Sequence, residues 1–373
     1  MSFDNIVFHS AQPEARQDRY IEYNNCDFIL AVGEGRSLMR NSVRINGDIK
    51  ITSDGTARSN GRVYLDPRIG THATIDSIQT SFSGAGGVKE VIQNYGRWAT
   101  MDAIGTIYED DYLSAKYQCE QRAPTAVCSA KNAKGENTLN TGTKLTDNLD
   151  FSMKPLCILN KMSGDHLPFE KSGEIRVTLN LARNMSCLMG DNQGNGATYE
   201  LTNLHLSYSS LPTNGNPAKT STTMRSVYNI KSTILSGSAN IQAQVPAMCD
   251  AMSASFQSQD RENVNIFSNF DCNQVEGIRQ VEFLFNDATN KYVTYSINDQ
   301  NEMIHRYIDS FRNTGHNQMT LDKFRTNASF GVGLHFQGFI DLSTQRFGLQ
   351  LASDVSNQNP MNVYMYFHSL ISA

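Results

Sequence analysis

Alternation of period two runs through this chain and limits what it can become. In "EIRVTLNL", Ile175, Val177, Leu179 and Leu181 stand against Glu174, Arg176, Thr178 and Asn180. Successive side chains of an extended strand point to opposite faces, so the pattern buries one face and leaves the other for solvent or a neighbour. It returns in "LHLSY" (Leu204, Leu206, Tyr208), "VEFLF" (Val281, Phe283, Phe285), "YVTYSI" (Val293, Tyr295, Ile297), "VGLHFQ" (Val332, Leu334, Phe336), "FGLQL" (Phe347, Leu349, Leu351) and "VYMYF" (Val363, Met365, Phe367). Val43, Ile45, Ile49 and Ile51 flank Asn46-Gly47, a pair that tolerates positive φ in a tight turn, and predict a hairpin there. Strands bounded by turn residues at short intervals predict sandwiches, hence an all-β, mainly antiparallel fold with a few short helices.

Helical signals are sparse. "NEMIHRYIDSFRNTG" carries Ile304, Tyr307, Ile308 and Phe311 at helical spacing, with Asp299 and Glu302 placed as a capping box and Gly315 as a stop. Val88, Val91, Ile92 and Tyr95 repeat that spacing after the glycine-rich "SGAGG", and "EDDYLSAKYQCEQ" is a third candidate. Three short helices are too few for an α/β barrel or a doubly wound sheet, which need one after nearly every strand.

A length of 373 residues suits two domains, at roughly 100 to 200 residues each. The break falls at "SSLPTNGNPAKTSTT", where Pro, Gly, Asn and Thr replace all periodicity. The expected division is an amino-terminal arm (1–22), a first sandwich (23–208), a linker (209–223) and a second sandwich (224–373). Each half runs from strands to a short helix and back to a terminal strand, a layout compatible with duplication, although no stretch aligns between the halves.

Charged residues are only 18% of the chain, below the usual ~25%, and Asn, Ser, Thr and Gln take their place. A net charge of -5 argues against coating nucleic acid by counterion release. The amino terminus lacks a basic segment followed by an apolar one, and no run approaches the ~18 apolar residues of a membrane span; synthesis inside the cell without a signal peptide is expected. The seven cysteines, Cys26, Cys119, Cys128, Cys157, Cys187, Cys249 and Cys272, include no C-x-x-C pair and read as buried free thiols.

The residues offer little chemistry. "IDSIQTSFSGAGGVKEVIQNYGR" resembles a phosphate-cradling strand, loop and helix, but the position that a dinucleotide fingerprint gives to its third glycine is Lys89, and Val88-Lys89-Glu90 stands where a phosphate loop needs Gly-Lys-Ser or Thr. A structural connection, its glycines serving positive φ and close backbone approach, is the expected role of Gly84 and Gly86. "GDNQGNGATYE" lacks the distal bidentate glutamate of a calcium loop. The eight histidines show no zinc spacing, and His205 and His335 fall within alternating strands, on their polar faces. Asp110-Asp111 reads as a solvated or capping pair rather than half of a glycosidase site, and the single Trp98 as core rather than a stacking platform. No catalytic, cofactor-binding or metal-binding residue is expected.

"GRSLMRNSVRINGDIKI" (35–51) and "GRVYLDPRIGTHATIDSIQTSF" leading into "VKEVIQNYGRWATM" resemble the major capsid proteins of the double jelly-roll virus lineage, the adenovirus hexon-like group, and are most similar to those of polinton-like viruses and virophages. "YELTNLHLSY" resembles the end of a first jelly roll, and "FQGFIDLSTQRFGLQLASD" with "NPMNVYMYF" the closing strands of a second. The resemblance implies two tandem jelly rolls, a homotrimer presenting six similar sandwiches, and a place in the icosahedral shell of a double-stranded DNA virus. It implies as partners the chain itself, neighbouring capsomers, and penton and minor capsid proteins, with no cofactor, no enzymatic activity and no sequence-specific contact to nucleic acid. A tandem β-sandwich that binds or cleaves glycans, and a minor capsid protein of the same lineage, are the alternatives.

Overall fold

A computed structural model of the chain describes residues 5–372 except 32, 34, 53–62, 67, 85–86, 105–118, 121–148, 191–196, 214–218, 236–237, 263, 265–268, 287–291, 313–323, 325–328 and 355–358. In the first half, β1 (Val7–Ala11), β4 (Arg44–Thr52), β8 (Leu149–Met153) and β12 (Thr198–Pro212) form an antiparallel sheet in the order β1-β12-β4-β8. β2 (Asn25–Leu30), β6 (Ile75–Phe82), β7 (Gly87–Gln93) and β10 (Ile175–Leu181) form the second, in the order β2-β10-β6-β7. β3 (Arg36–Met39) pairs beside the end of β12, from Ser210 to Pro212, and carries β9 (His166–Pro168) on its other edge, while β5 (Val63–Leu65) pairs with β11 (Leu188–Gly190).

The second half repeats this without the additions. β13 (Thr223–Ile234), β20 (Met361–Ser372), β15 (Met248–Ser258) and β18 (Gly331–Asp341) make one sheet in that order. β14 (Ala239–Gln244), β19 (Arg346–Ser353), β16 (Ile278–Asn286) and β17 (Tyr292–Ile297) make the other. Counting the eight main strands of each half in chain order, strands one, eight, three and six share one sheet, and two, seven, four and five the other. That is the jelly-roll order, so the chain is two jelly rolls in tandem. Each half also inserts one longer helix after its fifth main strand: α1 (Tyr95–Ile104) follows β7, and α2 (Gln300–Ser310) follows β17.

The alternations become buried and exposed faces as expected. In β10, Ile175, Val177, Leu179 and Leu181 are buried while Arg176, Thr178 and Asn180 point away. In the second unit, Phe347 lies edge-on to Phe285 at 5.5 Å and to Phe367 at 5.1 Å, tying β19, β16 and β20 together by contacts worth about 0.5–1.5 kcal/mol each beyond burial. β15 and β20 are buried on both faces for most of their length, since their outer side is covered as well.

Two expectations are corrected. Asn46-Gly47 does not turn the chain; β4 runs straight through it, and Gly47 pairs with Phe151 of β8. A Cβ on Gly47 would lie 2.9 Å from the Thr202 carbonyl oxygen and 3.3 Å from the Phe151 ring, so this glycine permits a close approach inside a sheet, beside the bulge that β12 makes between Thr202 and His205. Second, Val88, Val91 and Ile92 belong to β7 rather than a helix. Their β-branched side chains suit the hairpin partner of β6, with Ile92 buried and Val91 outward, and helix begins only at Tyr95. β6 and β7 are therefore a hairpin pair, joined at Phe82 and Gly87. Gly86 lies outside the described residues, but a Cβ on Gly84 would come within 2.8 Å of the Lys171 carbonyl oxygen. β1 pairs along β12 from Val7 to Ala11, and β12 continues through Ser209–Pro212.

The helix over "NEMIHRYIDSF" forms as expected. The Asp299 carboxylate caps it by accepting from the Asn301 N–H at 2.7 Å, whereas Glu302 turns to the Tyr295 hydroxyl and to Arg306. Gly315 and nearly all of "EDDYLSAKYQCEQ" fall outside the described residues.

Candidate assembly seam and surfaces

The two jelly rolls meet where β7, at the edge of one sheet, runs beside β13, at the edge of another. Glu90 of β7 crosses the seam: its carboxylate accepts from the Ser226 hydroxyl of β13 and from the Ile158 N–H, each at 2.8 Å. Burial pushes this carboxyl up to about 7, and the donors Ile158, Ser226 and Val227, with the Lys161 charge, hold it from rising further.

The first turn of α1 carries the next contacts. Arg97 is 2% exposed; Nη1 donates to the Asp271 carbonyl at 3.0 Å, and Nη2 to Gln257 Oε1 at 2.5 Å and the Asn269 carbonyl at 2.6 Å. Its guanidinium stacks 4.1 Å from the centre of the Tyr364 ring. Four acceptors and faces thus fix a planar group that a lysine would not match. Trp98 is fully buried against the second unit, 5.2 Å from Tyr366, 5.6 Å from His368 and 6.4 Å from Phe311 between ring centres. His368 shares a 3.0 Å hydrogen bond with the Ser253 hydroxyl, and burial, with the charges of Lys161, Arg225 and His335, pushes its imidazole down to about 3. A Cβ on Gly96 would lie 2.5 Å from the Phe270 ring, so only glycine lets the helix approach this closely. Beside it, Arg68 joins the units by bridging Asp66 at 2.5 Å and Asp271 at 2.8 Å.

Solvent reaches the seam through a half-open cleft of about 190 Å³. Its cations and carboxylates stand close to one another: Lys231 pairs with Glu262 at 3.3 Å, and the Arg183 charge acts on Asp76, whose carboxyl burial pushes up.

The outer face of the β13-β20-β15-β18 sheet is covered. Tyr364, Tyr366 and His368 of β20 lie under α1, while Gly331 and Gly333 of β18 lie under α2. A Cβ on Gly331 would be 2.3 Å from the Tyr307 ring, and one on Gly333 2.4 Å from Ser310 Oγ. The matching face of the first unit, on β1-β12-β4-β8, has no such cover among the described residues. Its outward side chains, among them Arg44, Asn46, His205 and Ser207, are half-buried, and Phe8 of β1 is 82% exposed.

Trp98 is core, as its position on a short helix predicted. His205 and His335 are half-buried on their strands. Cys26, Cys157, Cys187, Cys249 and Cys272 are buried free thiols and Cys119 is exposed; Cys128 lies outside the described residues. So do Asp110, Asp111 and residues 191–196 of the glycine-rich loop. Among the described residues, no three His, Cys, Asp or Glu side chains gather as metal ligands, and no helix is long and apolar enough to cross a membrane. Glu90 and Arg97 carry the seam without any motif to announce them; the nearest sequence signal was their position beside Trp98 and the glycine turn.

No protein-family model matches the chain, and no curated protein matches it in sequence. Solved structures do match its fold. The Faustovirus major capsid protein superposes with a TM-score of 0.62 at 7% identity, covering 98% of this chain and 90% of that one. A chain from the Sputnik virophage structure gives 0.56 at 10% identity, over 99% and 88%. The mavirus major capsid protein gives 0.51 at 10% identity, over 99% and 87%. The described residues have the double jelly-roll fold.

Proposed function

We propose that this chain is a major capsid protein whose homotrimers are the pseudo-hexameric capsomers of an icosahedral shell. The observation that carries the reading is the repetition of one eight-strand jelly-roll order in both halves, matched end to end by the fold of viral capsid proteins. Six similar units in a trimer can meet six neighbours, a task of geometry rather than catalysis, and a heterologous contact that closes on itself yields such a ring. The chain's partners are then its own copies, neighbouring capsomers, and the penton and minor capsid proteins, and its location is the virion. We place the first jelly roll at 7–212 and the second at 223–372, since β1 and the end of β12 belong to the first sheet.

The glycan-binding alternative loses support because the one tryptophan, the natural stacking platform, is buried in the seam. The solution mass of the purified protein tests the proposal. A stable species at three times 41.5 kDa, with a six-cornered outline in negative stain, is expected; a monomer at all concentrations that binds oligosaccharides would overturn it.

A further inference from the structure

β1 is held to the first unit by little besides its ladder. It pairs with β12 on one side, from Val7–Ser210 to Ala11–Leu206, and no strand pairs with its other side among the described residues. None of its five side chains is fully buried; His9 and Ala11 are half-buried, and Phe8 is exposed. An edge strand that covers so little apolar surface opens at low cost while the sheet behind it stays closed. Its side-chain hold is one cluster. The His9 ring stacks on Tyr208 at 4.9 Å between ring centres, and His9 Nε2 lies 2.7 Å from the Ser210 hydroxyl. Arg36 of β3 reaches the same hydroxyl: its Nε donates to Ser210 Oγ at 2.8 Å, and its Nη2 to the Ser210 and Asn5 carbonyls at 3.0 Å each.

The protons of this cluster have one arrangement. A guanidinium N–H only donates, so Ser210 Oγ accepts from Arg36 and sends its own proton to His9 Nε2, which is then the bare nitrogen of a neutral imidazole. A second proton on His9 would turn Nε2 into a donor, aim it at an oxygen that already accepts from Arg36, and set an imidazolium beside a guanidinium. The titratable groups packed on the ring are Tyr208 of β12, whose hydroxyl donates to the Ala31 carbonyl, and Arg36 of β3; β1 carries no other. Burial and the Arg36 charge both push the His9 imidazole below its ordinary 6.5. We propose that β1 is an acid-released strap: protonation of His9 breaks its hold on Ser210, and the strand leaves β12 while both jelly rolls stay folded. The release has a defined length. Pro13 bridges to Phe28, the Glu14 N–H donates to the Asp27 carbonyl at 2.8 Å, and buried Tyr20 exchanges two 2.8 Å backbone bonds with Leu201, so the chain stays anchored from Pro13 onward. What opens is the β12 edge from Leu206 to Ser210, a row of backbone donors and acceptors that another strand can take up.

The sign follows from the lowered imidazole. Closure of the strap is complete above His9's ordinary 6.5, and each pH unit below that value, down to the value of the closed strand, favours the open strand by about tenfold more. Amide hydrogen exchange read by mass spectrometry, corrected for the intrinsic pH dependence of exchange, tests this on the full chain. Wild type is compared with His9→Gln, whose side-chain carbonyl still accepts from Ser210 but takes no proton. Between about pH 7.5 and about pH 5, β1 peptides of the wild type should lose protection severalfold, those of His9→Gln should not, and β10 peptides should hold in both. Wild-type β1 protection that is unchanged at the lower pH overturns the strap, and so does an equal loss in His9→Gln. A loss that β10 shares shows the whole unit loosening and overturns it too, as does a β1 that exchanges at neutral pH as fast as an unfolded peptide.

Discussion

Glu90 and His368 put two ionisable groups into the seam with opposite preferences. Glu90 is raised from 4.5 to about 7 by burial, so it stabilises the fold most below its unfolded value, and that contribution is lost as pH rises through about 7. His368 is lowered from 6.5 to about 3; its contribution is complete above its unfolded value and is lost as pH falls toward 3. Between about 4.5 and 6.5 the two slopes oppose each other, each at about 1.4 kcal/mol per pH unit. Glu90→Gln removes one of them. Relative to wild type, this variant should gain stability as pH rises from 5 to 8, by an amount on the order of 3 kcal/mol, and urea midpoints at both pH values measure it. A wild-type-minus-variant difference that stays constant with pH would refute the assignment. Trp98→Ala should cost about 3–5 kcal/mol, because the cavity it leaves is walled by the Phe311, Tyr366 and His368 rings of the second unit; denaturant unfolding gives the value.

At the scale of elements, glycines and caps decide how strands and helices meet. Gly331→Ala drives a Cβ into Tyr307 and should lower stability by about 1–3 kcal/mol, read by thermal unfolding, since α2 cannot lift without uncovering β18. Asp299→Ala removes the cap of α2 and should cost ~1 kcal/mol by the same measurement. The sequence announced strands where a long alternation was clean, as in β10, and α2 because cap and spacing agreed. It misled at β7, where Val88, Val91, Ile92 and Tyr95 satisfy a helical period by chance while pairing with β6 decides the conformation. Asn46-Gly47 misled because a glycine chosen for closeness to Phe151 looks the same as one chosen for a turn. β15 went unread for a different reason: buried on both faces, "MCDAMSASFQS" has no alternation to show.

For the whole molecule, the tandem plan was legible because repeated alternation and one break in periodicity are local signals. The seam was not, since it joins residues far apart in the chain, as Arg97 to Gln257 and Glu90 to Ser226, and neither residue type nor spacing reveals such pairs. If the chain is a capsomer subunit, mild alkaline conditions should weaken the contact between its two halves before either sandwich melts, because Glu90 sits between them. The structure also supplies its own reporter. Trp98 is the single tryptophan of the chain and is buried where the two units touch, so indole fluorescence reads that contact and nothing else: a red shift in emission that precedes the loss of β-sheet circular dichroism would time the parting of the two halves without any added label.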